Sequence, residues 1–439
     1  MFTSVTASAI LIALAFILFI IFSFKGLSMG PSAFICAIVV ALATADPIGS
    51  LTGTFLTTSF NFACTIILPF ALAGLFSEMM TITGSSEAVG VFLVKKLGAN
   101  NAPLIIALVT IVLNLAGITN YVFIVVPIAF SVLRAANLPR RIGVAIMQGV
   151  ATVVFYGLPG IPCPVNLMPT TYLGTDLYAA PVLSIVISVF AFTLMALFTA
   201  WQVKDARKRG EGYDPAPGEE LEVHETANKQ LMPFGLAILP IVIVVAGCFI
   251  LQKVFEVVAM AAISISLLLG AAFLFAVFWT KLPENKLGIF DRGFTSMFSP
   301  VVGTALIVGF AGIVQETSAY TAVLELITHL NINPYATTVV TVMLIALICA
   351  NGVSGLNIFM QTFGAQFALM PDVNVEALHR LACSTACTLD SMPHNAATCM
   401  NLSIFRLSHK EGYFGIFVNT VIITTLMSLL CLVLCIIFY

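Results

Sequence analysis

Residues 388–398, TLDSMPHNAAT, interrupt a segment that otherwise has the composition of a membrane-spanning helix. Pro393 and the polar residues around it leave backbone groups without helical partners, and lipid cannot satisfy such groups. A break of this kind therefore occurs where neighbouring protein or a water-filled cavity receives the backbone. Asp390 and His394 lie four residues apart in this stretch, so they would share one face of a helical turn. Ionisable groups at membrane depth mark an ion or proton path by default, and the alternative is that this pair only holds the broken helix.

The composition of the whole chain is that of a protein immersed in lipid. Of its 439 residues, 60% are apolar and 9% are charged, whereas soluble domains have about 45–50% and about 25%. This excludes a cytosolic enzyme, a nucleic-acid-binding protein and a disordered protein. The ten cysteines lie almost entirely in apolar runs without the spacing of a metal site. We therefore expect small buried apolar residues, and neither a metal nor a cofactor.

The apolar segments fall into two halves of the same order. Eight of them meet or approach the roughly 20 residues that a spanning helix needs: 5–24, 31–45, 54–79, 181–201, 232–251, 257–280, 297–314 and 414–438. Four more are interrupted, and they are predicted to form two re-entrant hairpins, at about 102–133 and 335–370, and two broken helices, at about 142–175 and 378–405. Residues 1–201 and 232–439 are thus predicted to be two repeats of three spans, a hairpin, a broken span and a final span. An odd number of crossings inverts the second copy, and inverted repeats with paired broken helices are typical of secondary transporters.

The lysines and arginines indicate the orientation of the chain. If the N-terminus is outside and both hairpins are re-entrant, all of them lie on the cytoplasmic side except Lys253 and Arg380. The charged segment 202–231 joins the two halves and is predicted to be a flexible cytoplasmic linker. No charged residue precedes the first apolar run, so we expect that run to remain as a span rather than to be cleaved.

The predicted binding residues are polar side chains of the hairpins and breaks. No lysine or arginine lies within the hairpins or within the breaks at 157–166 and 388–398. We therefore expect the N-termini of half-helices, with their unpaired N–H groups, to hold a small anion or polyol acid. The candidate substrate-binding residues are Thr119, Asn120, Asn166, Asn351, Ser354, Asn357, Thr362, Ser391, His394 and Asn395, and the candidate proton-coupling residues are Asp390 and His394. For the asparagines and the serine at the breaks, the alternative is a structural role in satisfying backbone groups.

Several of these stretches resemble motifs of the gluconate permease (GntP) family within the ion transporter superfamily. The similar stretches are GITNYVFIVVP at 117–127, AANLP at 135–139, LPGIPCP at 158–164, LDSMPHNA at 389–396 and LSHKEGY at 407–413. The last two are similar to the branch that includes 3-hydroxybutyrate permeases. The chain departs from the family pattern at Gly160, Ile161 and Ala396, and in the second hairpin at 354–357.

The resemblance implies a proton-coupled importer of small hydroxy-carboxylates, a homodimer in a bacterial cytoplasmic (inner) membrane. It also implies an elevator mechanism, in which a transport domain of hairpins and broken helices slides against a scaffold domain. The sequence thus predicts an all-α polytopic secondary transporter, a proton-coupled symporter of a hydroxy-monocarboxylate resembling 3-hydroxybutyrate or gluconate. The alternative is a sodium-coupled carboxylate symporter of the same architecture, because unwound carbonyls coordinate sodium well. No constellation of an intramembrane enzyme occurs, and the expected partners are the anion, a proton or sodium, and the lipid bilayer, not nucleic acid.

Overall fold

The computed structural model describes residues 3–115, 118, 121–161, 163–215, 232–295, 297–328 and 333–439. All regular secondary structure in these residues is helical. The helices are α1 (Val5–Phe24), α2 (Met29–Ala41), α3 (Pro47–Ile82), α4 (Ser85–Leu97), α5 (Ala102–Leu115), α6 (Val122–Ala136), α7 (Arg140–Gly157), α8 (Pro164–Leu173), α9 (Pro181–Lys208), α10 (Phe234–Lys253), α11 (Ala259–Val277), α12 (Leu287–Thr295), α13 (Phe298–Gln315), α14 (Ser318–Thr328), α15 (Pro334–Cys349), α16 (352–368), α17 (Val375–Ala386), α18 (Ala396–Ile404) and α19 (His409–Phe438).

Seven helical segments in the described ranges are long and apolar enough to cross a membrane. They are α1, α3, α9, α10, α11, α12 together with α13, and α19. The helix α4 and the segment Ala99–Leu115, bent by 110° relative to each other, make an eighth if they count as one span. The chain is therefore an all-helical, multi-pass membrane protein, which confirms the class predicted from its composition.

The second predicted span, 31–45, is shorter in the structure. Its helix ends at Ala41, because Asp46 and Pro47 begin the next one. The Asp46 carboxylate accepts a hydrogen bond from the N–H of Gly49 at 3.0 Å, and proline suits the first helical position because no helical partner awaits its missing N–H. With 13 residues, α2 extends about 20 Å, less than the roughly 30 Å of a hydrocarbon core.

The helices pack in two groups. In the first, the span bundle (α1–α3 and α10–α13), α3 packs against α11, α12 and α13, and α2 packs against α13. In the second, the break bundle (α5–α9 and α15–α19), α7 packs against α5, α9 and α19, and α17 packs against α15 and α19. The two bundles meet where α18 lies on α13 and where α6 lies on α3. The interrupted helices are thus gathered in one group, and the uninterrupted spans that precede them in the other.

The predicted linker begins as part of the folded chain. Helix α9 continues through Lys208, and Asp214 forms an ion pair of 3.2 Å with Arg140 at the start of α7. The buried Arg140 side chain also donates to the carbonyl oxygen of Phe405, at 2.6 Å. Residues 216–231 of the predicted linker lie outside the described residues.

Two glycines allow α3 and α12 to cross closely. A Cβ on Gly74 would overlap the carbonyl oxygen of Gly293, and a Cβ on Gly293 would lie 2.7 Å from the Cα of Leu75. Because these neighbours are backbone atoms, they cannot rotate away as a flexible side chain would. The span bundle therefore depends on small residues at this crossing, as close-packed membrane helices do.

We predict that Gly74→Ala lowers the free energy of unfolding by about 1–3 kcal/mol, because the added methyl group overpacks the crossing. The matched control is Gly53→Ala in the same helix, where a Cβ would meet nothing within 4 Å; it should change stability by less than about 0.5 kcal/mol. Thermal unfolding in detergent can be followed with a thiol-reactive dye, since nine of the ten cysteines are buried. Equal unfolding midpoints for the two variants would contradict the prediction.

Candidate functional site

The second helix break is hydrogen-bonded to the tip of the hairpin formed by α15 and α16. Residues 387–395, between α17 and α18, are not helical. Asn395 caps α18, because its Oδ1 accepts from the N–H of Thr398 at 2.7 Å, and its Nδ2 donates to the carbonyl oxygen of Ala350 at 2.7 Å. Ala350, at the hairpin tip, has a φ of 46°, which non-glycine residues rarely adopt. The Asn395 hydrogen bond therefore fixes a strained turn against the break.

The N-terminus of α16 lies at the same place. Asn351 caps this helix by accepting from the N–H of Ser354 at 3.0 Å. A Cβ on Gly352 would overlap the carbonyl oxygen of Ala386 and would lie 3.2 Å from Oδ2 of Asp390. The hairpin thus approaches the break as closely as glycine permits, and the N-termini of α16 and α18 converge beside Asp390.

Asp390 is a buried carboxylate with neutral partners. Its Oδ1 accepts from the Ser391 hydroxyl at 2.8 Å, and its Oδ2 faces the Tyr156 hydroxyl at the longer distance of 3.5 Å. The backbone of the same stretch is held by the Tyr413 hydroxyl, which donates to the carbonyl oxygen of Ser391 at 3.1 Å. None of the ion pairs formed within the described ranges involves Asp390. An ionised carboxylate at membrane depth without a cationic partner is costly, so this group is suited to binding a proton.

The structure separates His394 from Asp390. The imidazole stacks on Phe16 of α1 at a centroid distance of 4.3 Å, and its Nε2 lies 3.3 Å from the carbonyl oxygen of Leu347. Its Nδ1 is buried without a hydrogen-bond partner among the described residues. Because residues 387–395 are not helical, the two ionisable residues do not share a helical face. Asp390 faces the break bundle, whereas His394 lies against the span bundle.

At the first break, Asn166 satisfies the backbone on both sides of the interruption. Its Nδ2 donates to the carbonyl oxygens of Phe155 and Ile161, at 3.2 and 3.1 Å. Its Oδ1 accepts from Arg380 at 3.0 Å, and the side chain is fully buried. These contacts are those expected of the structural alternative, and substrate binding by Asn166 stays a prediction.

Sequence reasoning missed Arg380, which it placed on the external side. The side chain is fully buried in α17 and lies against the first break, where it also donates to the carbonyl oxygens of Leu158 at 3.3 Å and Ala179 at 3.5 Å. A buried cation therefore lies beside the first break, although none lies within the hairpins or within the breaks at 157–166 and 388–398. Arg380 is buried by tertiary contacts, because α8 and the turn after it cover α17. No local sequence pattern predicts this contact between distant segments.

Gln148 is a second residue that sequence reasoning missed. It lies in α7, where its Nε2 donates to the Thr398 hydroxyl at 2.9 Å and its Oε1 accepts from Asn401 at 3.1 Å. This amide therefore joins the broken helix of the first half to α18 of the second half. A signal existed in the sequence, because Gln148 is a lone amide within the apolar run that ends at Gly157.

The remaining predicted substrate-binding residues do not all lie at the break. Thr119 and Asn120 lie outside the described residues. Ser354 and Asn357 are half-buried in α16 near the hairpin tip. Thr362 is exposed and donates to the carbonyl oxygen of Ile358 in its own helix, at 2.8 Å. The described contacts thus bring the hairpin tip to the break, but not Thr362.

Spanning helices, paired breaks and a buried polar cluster define a multi-pass membrane transporter. The C4-dicarboxylate anaerobic carrier (DcuC) family matches residues 57–370, which is most of the chain, and the chain belongs to this family. It is also 26% identical over 460 residues to "Uncharacterized transporter YxjC" of Bacillus subtilis (strain 168), with 94% of this chain and 96% of that protein covered. The protein is therefore a transporter of carboxylate type and not an enzyme.

The predicted resemblance to the gluconate permease family is wrong, because the family that matches is that of the C4-dicarboxylate carriers. The resemblance depended most on the stretches at 389–396 and 407–413, which lie beyond the matched residues 57–370. Proline, glycine and asparagine at helix breaks are needed wherever a membrane helix is interrupted. Such motifs therefore indicate the architecture and do not distinguish one carrier family from another.

We predict that Arg380 and Asn166 are energetically coupled. In a double-mutant cycle of Arg380→Met and Asn166→Ala, the coupling free energy should be about 1.5–3 kcal/mol, since each single change leaves a buried polar group unpaired. The control is the exposed pair Arg209 and Asp205, 2.9 Å apart, whose coupling should stay below about 1 kcal/mol. Thermal unfolding of the detergent-solubilised protein measures both cycles. Additive effects in the Arg380 cycle would show that the hydrogen bond contributes nothing to stability.

Proposed function

We propose that this protein is a secondary active transporter that moves a C4-dicarboxylate together with protons. The observation that carries the proposal is the convergence of two helix N-termini, those of α16 and α18, beside the buried carboxylate of Asp390. The asparagine caps satisfy one N–H group at each of these N-termini, and the helix dipoles still favour an anion there. An ionised Asp390 would repel the same anion, so binding of the substrate favours protonation of this carboxylate, and release of the substrate favours its ionisation. This reciprocity couples the two movements.

We also propose that the two halves, 1–201 and 232–439, are inverted repeats. Their helix contacts correspond in pairs. The contact of α1 with α2 matches that of α10 with α11, and the contact of α2 with α13 matches that of α11 with α3. In the break bundle, α5 on α7 and α7 on α9 match α15 on α17 and α17 on α19. Such pairing is expected if one fold unit occurs twice about a pseudo-two-fold axis.

In this proposal the span bundle is the scaffold and the break bundle is the moving domain of an elevator. The helices α4 and α14 hold the corresponding position in each half, just before a hairpin, and each packs on the first span of the other half, α4 on α10 and α14 on α1. They are therefore placed to connect the moving domain to the scaffold. The stacking of His394 on Phe16 crosses from one bundle to the other, so any sliding must break it. A homodimer and a bacterial inner-membrane location stay predictions.

The family description is the best guide to the substrate. The hydroxy-monocarboxylate expectation depended partly on the gluconate permease resemblance, and the family match now favours a four-carbon dicarboxylate. The contacts at the site fit any small carboxylate, because helix N–H groups recognise the carboxylate group and not the carbon chain. Proton coupling is favoured over sodium coupling by Asp390, which is buried among neutral hydrogen-bond partners.

We predict that proteoliposomes containing the full chain take up succinate when an inward proton gradient is imposed at zero sodium. 3-Hydroxybutyrate and gluconate should be taken up at least tenfold more slowly, since the family carries C4-dicarboxylates. Repeating the uptake at fixed pH with an inward sodium gradient separates the two coupling ions. Uptake driven by sodium alone would replace proton coupling, and faster uptake of either hydroxy acid would replace the dicarboxylate.

We predict that Asp390→Asn abolishes uptake driven by the proton gradient, with at least a tenfold loss, but retains exchange of internal for external succinate. The amide imitates the protonated carboxyl group, so the substrate can still bind although the proton can no longer be released. Asp372→Asn, an exposed acidic residue before α17, is the matched control and should behave as the wild type. Gradient-driven uptake by Asp390→Asn would contradict the proposed role of Asp390 in proton coupling.

We predict that His394→Ala abolishes proton-driven uptake in the same assay. Normal pH-dependent uptake by this variant would remove His394 from the mechanism.

A further inference from the structure

Asp390, Ser391, Tyr156 and Gly352 form the Asp390 cluster. A second polar region lies outside this cluster, between the two bundles. It is a cavity of about 320 Å³, bounded by the turn between α1 and α2, by α13, and by the turn between α18 and α19. Its polar lining residues are Ser23, Ser28, Ser403, Ser408 and His409. Binding pockets for small molecules have volumes of roughly 300–1,000 Å³, so the size of this cavity suits a small metabolite.

One buried side chain of this cavity lacks a hydrogen-bond partner among the described residues, and a second has only a weak one. Ser23 is 2% exposed, and its hydroxyl has no partner among the described residues. The Ser403 hydroxyl donates to the Sδ of Met29, at 3.5 Å, which is a weak acceptor. His409 is 2% exposed, and its Nε2 lies 2.9 Å from the carbonyl oxygen of Pro393 and 3.8 Å from the Sγ of Cys399. Because buried polar groups are normally paired, the unpartnered hydroxyl of Ser23 points to a polar ligand, and the half-buried Ser403 offers a second hydroxyl beside it.

The helix N-terminus at the cavity and the absence of acidic residues from its lining favour an anion. Ser28, at the start of α2, forms no side-chain cap, so the first N–H groups of that helix are available to a ligand. No aspartate or glutamate lines the cavity. The nearby Glu411 is engaged in capping, because it accepts from the N–H and the hydroxyl of Ser408 at 2.8 and 2.7 Å. Cationic residues adjoin the lining residues in sequence: Lys25, Arg406 and Lys410.

We propose that this cavity is a vestibule in which a carboxylate of the transported anion binds before or after it occupies the Asp390 cluster. The inference rests on the proposed function and adds a second binding site to it. His409 connects the two sites, because it is one of the residues that line the cavity and its Nε2 contacts the carbonyl oxygen of Pro393 within the second break. Both bundles line the cavity, so its shape depends on their relative position. The predicted orientation of the chain places the vestibule on the cytoplasmic side.

The test is protection of an introduced cysteine in proteoliposomes of neutral phosphatidylcholine. In a Cys64→Ser background, which removes the exposed native thiol, Ser403→Cys is labelled with a membrane-impermeant maleimide with and without succinate. Occupation of the vestibule should slow labelling at least fivefold. The same protection should persist when Gly352→Val is added, because that change disrupts the Asp390 cluster but not the cavity. Protection that disappears with Gly352→Val would be a conformational effect of the central site and would overturn the proposal.

Three controls complete the experiment. Lys208→Cys, exposed at the end of α9 on the same predicted side, should be labelled at an unchanged rate. Ser28→Cys replaces Ser403→Cys if that variant fails to fold. Labelling that is slowed by added phosphatidylglycerol, and not by succinate, would assign the cavity to a lipid headgroup and overturn the proposal. Uptake by the same background separates the two inferences: uptake without protection refutes the vestibule alone, whereas protection without uptake refutes the transport function alone.

Discussion

The backbone groups released where membrane helices break must be satisfied by protein, and in this chain asparagine side chains do so. Asn166 at the first break, Asn395 at the second and Asn351 at the hairpin tip all bond to the backbone. An asparagine carries both donors and an acceptor, so one side chain can satisfy a carbonyl group in one segment and an N–H group in another. Asn395 does this for Ala350 and Thr398. It cannot turn toward a substrate without leaving one of them unpaired, which costs about 1–3 kcal/mol.

Both helix breaks contain proline, but the ionisable residue beside each break differs. At the first break, Arg380 donates to Asn166 and to two carbonyl oxygens, all of them neutral acceptors, and its Nε has no partner among the described residues. At the second break, Asp390 accepts from the Ser391 hydroxyl, and the Tyr156 hydroxyl lies at the limit of a hydrogen bond. Arginine stays charged at any physiological pH, whereas a carboxylate can bind a proton. The first break therefore holds a fixed positive charge, and the second carries a group that can change its charge.

Local sequence predicted the helical class, the membrane location and the positions where α7 and α17 stop, because proline, glycine and apolar length act within one segment. It also predicted that residues 388–398 interrupt a helix and contain candidate functional residues. It did not predict that Asp390 and His394 face different bundles, since a spacing of four implies a shared face only if the residues between are helical. The burial of Arg380 under α8 and the bridge from Gln148 to Thr398 depend on contacts between distant segments. The family was misassigned for a related reason. The motifs at helix breaks are required wherever a membrane helix is interrupted, so many carrier families share them.

Under the proposed function, the charges buried at the breaks affect how a dicarboxylate crosses the membrane. Arg380 and an ionised Asp390 sum to zero, and moving net charge through a low-dielectric medium is costly. A bound monocarboxylate is compensated by one proton on Asp390, whereas a bound dicarboxylate leaves one negative charge to be neutralised. His394 is the remaining ionisable residue of the second break, and its Nδ1 has no partner among the described residues. Because His394 and Asp390 lie in separate surroundings, the proposed mechanism allows two protons to be held without repelling each other at short range, and it predicts that the charge of the substrate decides how many are carried.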